Sequence, residues 1–320
     1  MKKKRTYKRR TTPIKRKTGK SSSTTDWTWR ILCTLFVISL IAVILYYTCR
    51  KEVCNVTQKV VNKTESVVVG TCKSDDNEGT IKETDNDIFS VPVYTDVEIP
   101  IWETSQPSQI IRHTGYTLSF NKHLHIPNWV AYELTRAETA GTEKRTNNFI
   151  DDPYADGICA TDRDYRGSGY DKGHMAPAGD MKWSRDAMKE SFYFTNICPQ
   201  KPGLNRGSWK KLEETLRQWA QRDSAIVIIC GPIIDPKSNN LGETKIAIPK
   251  AFFKVVAAPY LRKPRAIGFI YTNKATDITP EYYAVTVDSV EKITGMDFFS
   301  ELPDNIESQI ENGCNYKDWQ

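Results

Sequence analysis

Two short stretches hold the residues best suited to chemistry. The first is Asp171-Lys172-Gly173-His174, and the second runs from Asn196 through Gln200, Asn205 and Trp209 to Glu213. The chain has four histidines, and only His174 directly follows a glycine in a charged stretch, here read as a loop. A neutral imidazole among cations is suited to take a proton near neutral pH. Asn205 stands 31 residues further on, just before a helical pattern, with Trp209 and Glu213 following at i+4 and i+8. In a continuous helix of about 100° per residue, eight residues return Glu213 to within roughly 80° of Asn205. Asn205, Trp209 and Glu213 would then lie on neighbouring parts of one face. The ordinary roles of such residues are a helix cap for Asn205 and core packing for Trp209, and Trp209 is assigned to the core.

Elements to position these groups can be read on either side. Density of aromatic and β-branched residues predicts strands near Tyr116–Phe120, Trp129–Thr135, Phe192–Ile197, Ala225–Cys230, Phe252–Ala258, Ile267–Thr272 and Tyr282–Val287. Helices are expected at Ser184–Lys189, Gly207–Arg222 and Ser289–Thr294. The second has the clearest period, with Trp209, Leu212, Leu216 and Trp219 on one stripe. Strands dominate and helices do not alternate with them regularly, which predicts an α+β domain with a largely antiparallel central sheet.

The N-terminal third reads differently. The net charge of +6 invites a nucleic-acid reading, but residues 1–26 hold eleven Lys and Arg against Asp26 alone, a net +10, leaving −4 for the rest. The more telling count is local: residues 161–222 carry twelve Lys and Arg against eight Asp and Glu, a net +4 around His174 and Asn205. After the basic tail comes Ile31–Thr48, eighteen residues without a charge. As a helix it would extend roughly 27 Å, enough for the apolar core of a bilayer. Trp27 and Trp29 at one end and Tyr46 and Tyr47 at the other suit the two interfaces. The excess of cations before the run keeps the N-terminus cytoplasmic and puts the chain beyond Thr48 outside the cytoplasm. A cleaved signal peptide or a lipid anchor at Cys49 would want small residues before the cut, and Leu45-Tyr46-Tyr47-Thr48 does not supply them.

The predicted organisation is therefore a basic cytoplasmic tail (1–30), a transmembrane helix (31–48) through which the lipid bilayer becomes a partner, a polar stalk (49–97) and a folded domain (98–320). Asn55-Val56-Thr57 and Asn62-Lys63-Thr64 in the stalk are glycosylation acceptors if the host glycosylates. Cys54, Cys72, Cys159, Cys198, Cys230 and Cys314 fall on the expected external side, where disulfides are permitted; small buried thiols are the alternative. None forms a CxxC pair, which argues against zinc.

From about Thr114 to Glu301 the chain resembles the DNA/RNA non-specific endonucleases with a ββα-metal site, which include mitochondrial endonuclease G. The family's signature is an Asp-Arg-Gly-His stretch followed by Asn, Gln, Asn, Trp and Glu at fixed spacings. Here Asp171-Lys172-Gly173-His174 and Asn196, Gln200, Asn205, Trp209 and Glu213 occupy those places. Likeness to the endonuclease G side also runs through Tyr165-Arg166-Gly167-Ser168-Gly169-Tyr170.

The resemblance implies a ββα-metal nuclease fold and hydrolysis of DNA and RNA without regard to sequence or sugar. It implies His174 as general base, Asn205 as direct ligand of Mg²⁺ or another hard divalent cation such as Mn²⁺, and Asn196 and Glu213 holding waters or orienting groups. Lys172, Arg163 and Arg166 would offset phosphate charge. Lys172 replaces the family's usual arginine, a point charge in place of a planar fork. Dimers occur in the family, so a homodimer is an expected partner. A catalytically silent nucleic-acid-binding module on the same fold, and a phosphodiesterase for small substrates, are the alternatives.

Overall fold

The computed structural model describes residues 94–275 and 278–320. The basic tail, Ile31–Thr48 and nearly all of the expected stalk lie outside them. Among the described residues no helix is long and apolar enough to cross a membrane.

A seven-stranded sheet organises the fold. Its strands are β1 (Gln109–Arg112), β2 (Thr117–Asn121), β3 (Ile126–Thr135), β6 (Ala225–Ile233), β9 (Ala251–Ala258), β10 (Arg265–Thr272) and β11 (Ala284–Val285), in that spatial order. Every neighbouring pair is antiparallel, as the strand-rich pattern predicts. Two small pairs lie apart from it: β4 (Asp171–His174) with β5 (Ile197–Gln200), and β7 (Asn240–Leu241) with β8 (Ile246–Ala247). Short helices α1 (Arg136–Thr139), α2 (Asp162–Tyr165) and α3 (Arg185–Glu190) precede the long α4 (Trp209–Asp223), and α5 (Val287–Thr294) and α6 (Asp304–Glu311) close the chain.

The central strands read as nearly unbroken apolar runs because both faces of the sheet are covered. Ile226, Ile228 and Cys230 of β6, with Phe252 and Val256 of β9, join one core. Val227 and Ile229, with Phe253, Val255 and Ala257, join the other. The stripe Trp209, Leu212, Leu216 and Trp219 packs α4 onto the first core, and Val287, Val290 and Ile310 bring α5 and α6 to the second. Burying a side chain of this size stabilises by roughly 1.5–3 kcal/mol each, so α4 is firmly seated beneath whatever its N-terminus presents.

Three expectations require correction. Phe192–Ile197 is not a strand: Phe192 and Phe194 are both buried, Phe194–Asn196 forms a single 3₁₀ turn, and β5 begins only at Ile197. The Asn196 side chain competes for local backbone groups there, donating to Ser191 O at 2.8 Å and to Ala176 O at 2.9 Å. Tyr282–Val287 likewise divides into a 3₁₀ turn (Pro280–Tyr283), the two-residue β11 and the start of α5. The stretch containing His174 is not a loop, since Asp171–His174 pair residue by residue with β5. Of the cysteines, Cys159, Cys198, Cys230 and Cys314 are free, the first three buried.

Candidate active site

Strands β4 and β5 and helix α4 form a strand, strand, helix unit in which His174 ends the first strand and Asn205 precedes the helix. Register places Asp171 opposite Gln200, Gly173 opposite Cys198 and His174 opposite Ile197. The Gly and the Gln of the two stretches explain each other. A Cβ on Gly173 would collide with the side chain of Gln200, which is fully buried. Asn196 is a staple: its Oδ1 accepts from Ala176 N at 2.9 Å while its Nδ2 donates to Ala176 O at 2.9 Å. The backbone immediately after His174 is thereby fixed.

The helix geometry departs from the continuous frame used on the sequence. Leu204–Ser208 form one wide π-type turn, and Gly207 interrupts it with φ −107° and ψ −109°. Regular α-helix starts at Trp209, not Gly207. Asn205 and Glu213 still line one cleft.

That cleft has a volume of about 350 Å³ and is lined by Lys172, His174, Asn205 and Glu213 together with Arg145, Arg206, Lys210 and Arg217. Its walls hold five cations and one carboxylate. His174 is 7% exposed, packed between Phe192 (5.0 Å between ring centroids, edge-on) and Phe149 (5.4 Å). Its Nε2 is buried and has no hydrogen-bond partner. Burial first, and then the charges of Arg145 and Lys172, push its pKa down to about 3, so the ring is neutral at physiological pH.

Asn205 is oriented from one side only. Its Nδ2 donates to Asp171 Oδ2 at 3.0 Å, and among the described residues no protein donor reaches Oδ1. Arg206 grips the same carboxylate with Nε at 2.7 Å and Nη2 at 2.6 Å. Against the cost of partial burial, these bonds hold Asp171 below the usual carboxylate range. Glu213 is half-buried on the cleft floor. Burial and nearby Asp180 push its carboxyl up to about 7, opposed by Lys254, Arg217 and Arg145. Lys254 lies fully buried beneath the cleft, its Nζ 4.7 Å over the Trp209 ring. Trp209 itself is 1% exposed, in the core as expected.

The cations are held in different ways. Lys172 pairs with Asp162 and lies 3.8 Å over the Phe149 ring. Arg217 Nη1 donates to Asp180 Oδ1 at 2.6 Å, and Tyr132 donates to the other oxygen at 2.8 Å. Gly179 lets that guanidinium approach, since a Cβ there would sit 2.8 Å from Nη1. Arg145 has no carboxylate partner among the described residues; its Nε donates to Asn147 Oδ1 at 2.7 Å and its guanidinium sits over Phe192 at 4.9 Å.

Arg163 and Arg166 do not line this cleft. They border a separate surface pocket with Asp164 and the β7–β8 segment, where Arg163 pairs with Glu243 at 4.0 Å. Sequence reasoning missed Arg145, Arg217, Lys210 and Arg206 as cleft residues. Arg217 carried a usable signal, because it stands four residues after Glu213 and so shares its helix face.

A buried neutral imidazole, an unengaged amide oxygen and a carboxylate ringed by cations form a cleft made for a polyanion. The family model for DNA/RNA non-specific endonucleases matches residues 95–305, and the chain belongs to that family of nucleases. It is 33% identical to the mitochondrial nuclease EXOG of Mus musculus over 222 residues, 64% of this chain and 60% of the mouse protein. It is 31% identical to the mitochondrial Nuclease 1 of Schizosaccharomyces pombe over 223 residues, 63% of this chain and 69% of that protein. A chain in the crystal structure of the EndoG/EndoGI complex superposes with a TM-score of 0.57 at 28% identity, covering 62% of this chain and 89% of that one.

Proposed function

We propose that the protein is a membrane-anchored, divalent-metal-dependent endonuclease that hydrolyses phosphodiester bonds of DNA and RNA outside the cytoplasm. The observation that carries the catalytic reading is His174, a neutral imidazole with an unpartnered Nε2 in a cleft it shares with Asn205 and Glu213. His174 Nε2 takes the proton of a water attacking the phosphorus, and the Phe149 and Phe192 rings keep the imidazole aimed and unprotonated. Asn196 fixes the backbone behind it.

Hard oxygen donors are what Mg²⁺ or Mn²⁺ requires, and Asn205 Oδ1 and the Glu213 carboxylate meet that requirement. Asn205 would hold the ion directly and Glu213 would hold its coordinated water. Bound there, the ion supplies Lewis acidity to the scissile phosphate and its leaving oxygen. Lys172, Arg145 and Arg217 offset the charge that grows on the phosphoryl oxygens. This assigns to Arg145 and Arg217 the part expected of Arg163 and Arg166. Contact with phosphate and not with base edges makes the enzyme indifferent to sequence and its affinity strongly salt-dependent.

In this reading residues 1–30 lie in the cytoplasm, Ile31–Thr48 cross the bilayer, 49–97 act as a spacer and 98–320 form the nuclease domain. Support comes from the cations before the apolar run against Arg50 and Lys51 after it. The test is incubation of the full chain, in mild detergent, with plasmid and with RNA in Mg²⁺ and in chelator. Cleavage of both polymers only with the metal is expected; intact polymers under several divalent metals would overturn the reading. A reporter that works only in the cytoplasm, fused after Gln320, should be silent, and strong signal there would reverse the orientation.

A further inference from the structure

On the other side of the sheet from Trp209, three carboxylates converge. Asp288 and Glu291 lie on one face of α5, and Glu311 is the last residue of α6. Each offers an oxygen within 4.8 Å of the others. None of them is in an ion pair among the described residues. Glu291 Oε1 accepts from Phe298 N at 2.9 Å, which orients that carboxylate.

Glu311 is the informative member. It is 8% exposed, and its Oε1 is buried without any hydrogen-bond partner. Buried polar atoms are nearly always partnered, so an orphaned oxygen on a carboxylate grouped with two more calls for a cation. Its position deepens the cost, because the C-terminus of a helix is the negative end of the dipole and the last turn of α6 carries no basic residue. Asp297 and Glu307 add further negative charge nearby.

We propose that Asp288, Glu291 and Glu311 form a structural calcium site that fastens the C-terminal helix α6 to α5. An all-oxygen set excludes the nitrogen and sulfur ligation that zinc prefers. Calcium is favoured over magnesium because a carboxylate set with a buried member suits an ion that takes several protein oxygens in a flexible shell, whereas Mg²⁺ demands a near-ideal octahedron and dehydrates reluctantly. Water would complete the shell. The site is independent of the nuclease reading, since its ligands lie across the sheet from the cleft.

The experiment is thermal unfolding of the full chain in mild detergent, in chelator, in Ca²⁺ and in Mg²⁺. Saturating Ca²⁺ is expected to raise Tm by about 5 °C or more, with a smaller rise in Mg²⁺. The Ca²⁺ rise should persist in Asn205→Ala, which separates it from binding in the cleft. Glu311→Gln should lose most of the rise and cut plasmid at the wild-type rate. Asp288→Asn, at the more exposed ligand, carries the same expectation if Glu311→Gln does not fold. No rise in wild type, or an equal rise in wild type and both variants, overturns the proposal.

Discussion

Asp171 holds the side chain of Asn205 by its amide nitrogen, at 3.0 Å from Nδ2 to Oδ2, and so leaves the carbonyl end of Asn205 for the cleft. Arg206 holds Asp171 in turn through two hydrogen bonds. If Asn205 Oδ1 is the metal ligand, Asp171 is its positioning residue and acts on affinity for the ion more than on the chemical step. Asp171→Ala should raise the Mg²⁺ concentration for half-maximal cleavage by about 10–100-fold. Rate at saturating Mg²⁺ should fall much less, and a metal titration of plasmid cleavage measures both.

Gly173 and Gln200 occupy one space between β4 and β5. Gly173→Ala forces its methyl into the Gln200 side chain, which is expected to cost about 1–3 kcal/mol of stability by overpacking and to shift His174, the next residue. Adding Gln200→Ala should recover most of that stability. Urea unfolding of the single and double variants tests it; equal destabilisation in both would show that the strain lies elsewhere.

Among the described residues Arg145 is the cleft cation without a carboxylate partner, so its charge is the most available to a phosphate. Arg145→Ala should lower kcat/KM on plasmid by about 10²-fold or more. Arg163→Ala and Arg166→Ala should leave it close to wild type, since both border a different pocket. Steady-state rates for the three variants at one ionic strength decide the assignment.

How far this site could be read in advance depended on where each residue sits along the chain. His174, Asn205 and Glu213 were legible because their spacing reflects one strand, strand, helix unit. Arg145 was not: it lies on an exposed stretch with no apolar period, 29 residues before His174, and lines the cleft with its guanidinium over Phe192. Arg163 and Arg166 are near His174 in sequence, but they border the pocket at β7 and β8 and not this cleft. The antiparallel sheet was legible from its apolar central strands. Phe192–Ile197 was not, because its β-like composition yields to the hydrogen bonds of Asn196.

His174 also ties stability to pH. Its pKa in the fold is lowered to about 3 from an ordinary value near ~6.5, so between these values the unfolded chain binds a proton that the folded one does not. Its contribution is complete above the ordinary histidine range and is lost as pH falls towards the folded value. Wild type should therefore lose more stability than His174→Asn between about pH 7 and about pH 4 in urea unfolding. Parallel profiles for the two proteins would show that His174 does not titrate this way.

Acceptance of the attacking water's proton by His174 Nε2 is the step on which the proposed mechanism turns. The most direct measurement is the single-turnover rate of plasmid cleavage by His174→Ala and wild type at saturating Mg²⁺, with circular dichroism confirming that the variant is folded. A fall of about 10²–10⁴-fold is expected, with substrate affinity little changed. A folded His174→Ala that cuts as fast as wild type would contradict that role.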